Sequence, residues 1–209
     1  MNTIQQAADI ILCGLWIVTY LSVFLIMLIR KECIIHPLTT ALGIGMEFGI
    51  FLVIIFNGSG FDYVTFSYGY WTIIEIGIIT LYIKYRFIGK KQLIPFFAIT
   101  CFFILGTFFL VKNINTGVTY CNFVLTIIAD VVWLVYLYLK KKKMHWSYLI
   151  PFTTKLIADL LVLYVYFGYL NWFIDLLCIL LPIVDCLFII LFFARFTSYK
   201  KTNMDQQEY

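Results

Sequence analysis

Acidic side chains recur inside the most apolar stretches of this sequence of 209 residues, which is 63% hydrophobic and 12% charged. Six acids fall within segments long enough to cross a bilayer: Glu47, Glu75, Asp130, Asp159, Asp175 and Asp185. The only base among them is Lys155. An ionised acid at the centre of a membrane helix costs about 2.5–3.5 kcal/mol, so we expect these groups to be paired, solvated or protonated. A buried carboxyl group that keeps its proton is a proton donor.

Position and spacing suggest different roles for these acids. Counted at about 1.5 Å per residue from the span ends, four lie near the bilayer midplane (Glu47, Asp130, Asp159 and Asp185) and two closer to the outer face (Glu75 and Asp175). Lys155 and Asp159 are four residues apart on one helix face, which predicts a structural ion pair. Glu47 and Asp185 have no basic neighbour on their own helices and are the predicted protonated acids. The role of Asp130, which could join the Lys155–Asp159 pair, stays open.

Seven segments are apolar over the roughly 20 residues that a membrane span requires. They are residues 9–29, 38–57, 68–86, 93–111, 119–139, 147–168 and 171–195. In lipid each segment must satisfy its own backbone hydrogen bonds, so each is predicted to be an α-helix. The sequence therefore predicts an all-α polytopic membrane protein, with one domain of seven transmembrane helices over residues 1–209.

Basic residues mark alternate connections between the spans. Lys and Arg follow the first, third, fifth and seventh spans, whereas the opposite connections contain only Lys112. By the positive-inside rule, the N-terminus lies outside and the C-terminus is cytoplasmic. The lysine run at 140–143 fits this topology, so no nucleic-acid partner is predicted. A bacterial plasma membrane and the endoplasmic reticulum both fit the sequence.

Two similar segments suggest an internal repeat. HPLTTALGI at 36–44 and IPFTTKLIA at 150–158 share Pro, Thr, Thr and Leu at the same relative positions. This pattern favours two three-helix repeats joined by the fourth helix. The alternative is the general preference for Pro at the start of a helix.

The surroundings of Glu47 allow two interpretations. In GIGMEFGIF, at 43–51, Gly43, Gly45 and Gly49 either let a neighbouring helix approach or leave room for a substrate. Single acids of this kind also serve as hydrogen-bonding links between helices. Four of them near the midplane favour a polar, acid-lined site instead.

Aromatic residues make up 20% of the chain. Their ring faces can stabilise a cation, so acids beside them suit either carbocation chemistry or transport of an organic cation. The six cysteines show no CxxC spacing, and His36 and His145 are expected to be solvated loop residues. No metal or cofactor is predicted.

Three short stretches combine an acid with an aromatic residue: MEF at 46–48, WTIIE at 71–75 and DCLF at 185–188. These stretches resemble those of the small seven-helix integral-membrane terpene cyclases of meroterpenoid pathways. The chain departs from the family pattern at three positions, where Met46 replaces Trp, Glu75 replaces Asp and Phe188 replaces Tyr. The resemblance also extends to the number of spans, the chain length and the outside N-terminus.

This resemblance implies an enzyme that cyclises a prenylated, lipophilic substrate, linear or epoxidised, drawn from the bilayer. Glu47 would protonate the substrate with help from Asp185, and no metal would take part. Glu75, Trp71, Phe48, Phe188 and Asp130 are the predicted substrate-binding residues. The alternative is a small proton-coupled transporter, in which the intramembrane acids bind protons or substrate.

Overall fold

The computed structural model describes residues 3–57, 63–113, 117–140, 144–168 and 171–205. These residues form α1 (Thr3–Arg30), α2 (Pro37–Phe56), α3 (Tyr63–Lys84), α4 (Lys90–Asn113), α5 (Gly117–Lys140), a 3₁₀ turn (Trp146–Tyr148), α6 (Leu149–Tyr166) and α7 (Trp172–Asp205). All seven α-helices are long and apolar enough to cross a membrane. The prediction of an all-α, multi-pass integral membrane protein is confirmed. Residues 141–143 of the lysine run, and the connections at 58–62, 114–116 and 169–170, lie outside the described residues.

Helices α1–α3 and helices α5–α7 pack in the same way. In each set the third helix contacts both the first and the second helix of that set. The sets meet where α1 packs on α6 and where α2 packs on α5, while α4 lies against α2 and α5. The first helix of each set thus contacts the second helix of the other set. This arrangement agrees with the predicted pair of three-helix repeats.

Threonine side chains join the two sets near the basic end of the bundle. The Thr39 hydroxyl donates to the Ala129 carbonyl of α5 at 3.2 Å. The Thr154 hydroxyl of α6 lies 2.8 Å from the Thr19 hydroxyl of α1. Thr39 and Thr154 come from the two similar sequence segments, and such interhelical hydrogen bonds help to fix the register of the helices.

Two glycines of α2 bring α4 close. A Cβ at Gly45 would lie 2.3 Å from Phe103 Cβ, and one at Gly49 would lie 2.8 Å from Thr107 Cβ. The predicted close approach of a neighbouring helix is confirmed. The prediction that these glycines leave room for a substrate is wrong, because α4 fills the space beside both of them.

The residues just before α2 are held in place by side-chain hydrogen bonds. His36 Nδ1 accepts a hydrogen bond from the Leu38 amide at 3.1 Å and caps the helix. Trp133 Nε1 donates to the Ile34 carbonyl at 2.7 Å. Burial lowers the pKa of His36 below its usual value. His36 was expected to be a solvated loop residue; it lies before α2 as expected but is half-buried, and its side chain turns back onto the backbone of α2.

Candidate functional site

A cavity of about 160 Å³, here called the outer cavity, lies between the helices. It extends from the first turns of α3 and α5, at the predicted extracellular end, to Glu47 in the middle of α2. Its walls carry six aromatic side chains (Trp16, Tyr20, Tyr68, Trp71, Phe123 and Tyr166) and three acids (Asp9, Glu47 and Asp159). Among the described residues that line it there is no Lys, Arg or His. The outer cavity is therefore both acidic and aromatic.

Asp9 lies at the outer part of this cavity. Tyr63 donates to Asp9 Oδ2 at 2.8 Å, and Tyr166 donates to Asp9 Oδ1 at 3.1 Å. The two tyrosines thus tie α3 and α6 to α1 at the predicted extracellular end. Sequence reasoning missed Asp9, because it stands at the edge of the first apolar segment. The available signal was the helical spacing of Asp9 to Leu12 and Cys13, which places the acid on the same face of α1 as these residues.

Glu47 lies where the outer cavity ends, and only 1% of this residue is exposed. Its carboxyl group lies beside the Tyr20 hydroxyl and the Glu75 carboxyl group. Glu47 Oε2 has no hydrogen-bond partner among the described residues. Two adjacent buried carboxylates would repel each other, so a proton on one of them favours this arrangement.

Glu75 lies deeper than predicted. Helix α3 begins at Tyr63, five residues before the expected span, so Glu75 comes to the middle of the helix rather than near the outer face. Its carboxyl group packs against Gly43, where a Cβ would lie 2.2 Å from Glu75 Oε1. The third glycine of the α2 sequence thus makes room for an acid of the protein itself.

A second void of about 30 Å³, here called the inner void, lies toward the basic end of the bundle. Glu75, Asp130 and Lys155 line the inner void, whereas Glu47 and Asp159 line the outer cavity. Four side chains line both spaces and form the wall between them, here called the septum: Trp16, Tyr20, Met46 and Thr126. The Glu47–Glu75 pair therefore joins an acid of the outer cavity to an acid of the inner void.

Lys155 is the centre of a buried ionic cluster. Its Nζ lies 2.8 Å from Asp130 Oδ2, 2.7 Å from Asp159 Oδ2 and 2.6 Å from Asp185 Oδ1. The predicted Lys155–Asp159 pair is confirmed, and the open question of Asp130 is answered, since it joins this pair. Asp185 has a basic partner after all, supplied by α6, and it is not among the described residues that line the outer cavity. Three carboxyl groups thus share one ammonium group.

The same three aspartates have the spacing of a cation site. One carboxyl oxygen from each lies within 4.8 Å of the others, an arrangement in which carboxylates can coordinate a metal ion. Lys155 Nζ is within 2.8 Å of all three side chains. The lysine ammonium occupies the position that a bound cation would take.

The predicted aromatic site residues separate into two groups. Trp71 lines the outer cavity, and its Nε1 has no hydrogen-bond partner among the described residues. Phe188 is 1% exposed and packs on Trp133 and Phe152, with ring centroids 5.0 and 5.2 Å apart. Phe48 packs against the same hydrophobic core. Neither phenylalanine is among the described residues that line the outer cavity, so both belong to helix packing in this conformation.

Comparison with known proteins gives no match to any family model, curated protein or solved structure.

Proposed function

We propose that this protein is a membrane-embedded terpene cyclase that starts a metal-free cyclisation by protonating a prenylated, lipophilic substrate. The observation that carries this proposal is the position of Glu47, a buried acid at the inner end of an aromatic cavity. The resemblance of MEF, WTIIE and DCLF to the integral-membrane terpene cyclases points to the same chemistry. An acid that is almost fully buried is suited to give up a proton to a weakly basic group.

In the proposed reaction, Glu47 donates its proton to an epoxide oxygen or to an alkene carbon of the substrate. The C–O bond or the alkene π bond breaks, leaving a carbocation, and the next alkene closes the ring with its π electrons. The terminal carbocation loses a proton from an adjacent carbon, which forms an alkene, and this proton returns to the Glu47 carboxylate and restores the acid. The Glu75 carboxyl and the Tyr20 hydroxyl, which lie beside Glu47, can donate hydrogen bonds to the carboxylate left on it.

The walls of the outer cavity suit the cationic intermediates of this reaction. The faces of Trp16, Tyr68 and Trp71 can stabilise positive charge without trapping it covalently. A cavity of about 150 Å³ in another protein holds one benzene molecule, so the outer cavity accommodates the reacting end of a prenyl chain. The rest of the chain would extend toward the outer opening or the bilayer.

Asp159 and Asp185 have supporting roles in this proposal. Asp159 lines the outer cavity, and Asp185 reaches it through their shared partner Lys155. Asp185 therefore assists by positioning the Lys155 cluster behind the cavity wall.

The test is the variant Glu47→Gln, which keeps the shape of the side chain and removes its acidic proton. Wild-type protein in nanodiscs is supplied with farnesylated phenols, linear and epoxidised, and the products are followed by chromatography and mass spectrometry. We expect cyclic isomers from the wild type and a loss of about 100-fold or more in the variant. Glu32→Gln, at a surface ion pair with Arg30, is the control. Equal turnover by Glu47→Gln and the wild type would contradict the proposal.

A proton-coupled transporter is the second candidate, and the helix packing favours it. Repeats that pack alike and a site at their interface are typical of secondary transporters. The septum between the outer cavity and the inner void would then be a closed gate. This candidate predicts uptake of a solute into proteoliposomes that depends on a pH gradient and is lost in Glu47→Gln. Cyclic products formed without such uptake would exclude it.

A further inference from the structure

Three residues that line the outer cavity each contain a buried polar atom with no hydrogen-bond partner among the described residues. The atoms are Glu47 Oε2, Asp159 Oδ1 and Trp71 Nε1, in residues that are 1%, 0% and 7% exposed. A buried polar atom without a partner destabilises the folded protein. The two carboxyl oxygens can accept hydrogen bonds from a ligand, whereas Trp71 Nε1 is itself a donor and needs a separate acceptor.

The charge of the cavity wall defines this ligand. Two of the three atoms are carboxyl oxygens, which accept N–H bonds, and Asp9 adds a third acid to the wall. The Lys155 ammonium group behind the wall is shared among three aspartates. The site thus has acidic groups in excess of its cations, and a ligand that brings a positive charge and N–H donors offsets them.

The aromatic walls favour the same charge. Lys155 Nζ already lies 5.0 Å from the centre of the Trp16 ring, which shows that this ring stabilises an ammonium group within the protein. Trp71, Tyr68 and Tyr166 present further rings to the cavity. Acids combined with aromatic faces form a recognition site for organic ammonium ions.

We propose that the outer cavity binds a small organic ammonium ion, with its N–H groups directed to Glu47 and Asp159 and its apolar body against the aromatic rings. The volume of about 160 Å³ limits the ligand to approximately the size of a single ring. This binding does not depend on the proposed cyclisation, since it follows from the cavity wall alone. An amine bound here would block a cyclase, and it would be the cargo of a transporter.

Benzylamine and benzyl alcohol provide the test, because they have nearly the same shape and only benzylamine is charged at neutral pH. Titration calorimetry of the full chain in nanodiscs is expected to show saturable binding of benzylamine, with benzyl alcohol bound about tenfold or more weakly. Equal affinity for the two compounds, or no binding of benzylamine, would overturn the proposal.

Variants locate the site. Glu47→Gln and Asp159→Asn are each expected to weaken benzylamine binding about tenfold, because each removes a charge-assisted hydrogen bond. Glu32→Gln, on the surface beside Arg30, is expected to bind as the wild type does. An equal loss in Glu32→Gln and Glu47→Gln would show non-specific attraction and contradict the proposal. If Asp159→Asn does not fold, the Glu47→Gln variant and the two titrations of the wild type still test the proposal. No turnover is measured, so a failed cyclisation assay does not affect the result.

Discussion

Gly43 of α2 and Glu75 of α3 fit together so closely that no other residue type is accommodated at position 43 without moving the acid. A Cβ at Gly43 would lie 2.2 Å from Glu75 Oε1, 3.1 Å from its Cδ and 3.3 Å from its Oε2. The glycine thus holds the Glu75 carboxyl at the place where it meets Glu47.

Gly43→Ala is therefore expected to displace the Glu75 carboxyl from its buried position beside Glu47. We expect a loss of about 1–3 kcal/mol in the free energy of unfolding, the cost of a buried polar group without a partner. Gly106→Ala on α4 is the matched control, because nothing lies within 4 Å of a Cβ there. The control gains the same helix propensity, so thermal unfolding of the two variants in detergent isolates the effect of the contact. Equal melting temperatures would show that Glu75 moves aside without cost.

Trp71 and Trp133 differ in whether the indole N–H has a hydrogen-bond partner, so the effects of replacing them can be compared. Trp133 Nε1 donates to the Ile34 carbonyl at 2.7 Å, whereas Trp71 Nε1 has no partner among the described residues. Trp133→Phe is expected to lower the free energy of unfolding by about 1–3 kcal/mol in excess of the change caused by Trp71→Phe. Thermal unfolding without ligand measures both. A greater loss of stability in Trp71→Phe would indicate that its Nε1 has a partner in the folded protein.

Removing the charge of Lys155 is expected to be far more damaging than removing that of an exposed lysine. Lys155→Met leaves three buried carboxyl groups without their shared cation, which typically costs about 3–5 kcal/mol. Lys112→Met, at an exposed site near Phe108, is expected to change stability by about 0.5 kcal/mol or less.

A second substitution checks the cause. Asp185→Asn in the Lys155→Met background is expected to recover part of the lost stability, because one fewer acid then lacks a counter-charge. Additive losses in the double variant would contradict the shared-cation interpretation.

His36 gives the protein a pH-dependent helix cap. Its Nδ1 must be unprotonated to accept the Leu38 amide hydrogen, and burial lowers its pKa. The unfolded chain therefore takes up the proton at higher pH than the folded protein. The stabilisation is complete above the ordinary histidine pKa of about 6.5 and is lost as the pH falls toward the lowered value.

His36→Asn keeps a good cap without this titration. We expect the variant to lose less stability than the wild type on acidification from about pH 7 to pH 5, with a difference on the order of 1 kcal/mol. Thermal unfolding across this range measures the difference. Parallel pH profiles would show that another group is responsible.

The elements of the fold were predictable because the bilayer imposes strict rules on a chain. Span length, apolarity and the need for internal hydrogen bonds predict the seven helices. The spacing of Lys155 and Asp159 on one helix predicts their ion pair. These are local properties of the sequence. The recurring PLTT and PFTT segments also indicated the shared packing of the two helix sets.

The partners of the remaining acids were not predictable from local properties. Asp185 meets Lys155 from another helix, and Glu47 meets Glu75 because Gly43 lets the two helices approach. Glu75 was predicted too near the outer face, because α3 begins five residues before the predicted span. Polar residues in the first turn of α3 kept that turn from being recognised as part of the span. Pairings between helices depend on their relative rotation, which hydropathy does not reveal.

The septum has an electrical consequence. With water in the outer cavity, the potential of the outer solution would reach Glu47, and most of the membrane voltage would fall across the inner half of the protein. A unit charge that crosses a full drop of about 100 mV changes its energy by about 2.3 kcal/mol. A proton passing between Glu47 and Glu75 would then cross the septum, where this field is concentrated, and its position would depend on the membrane potential.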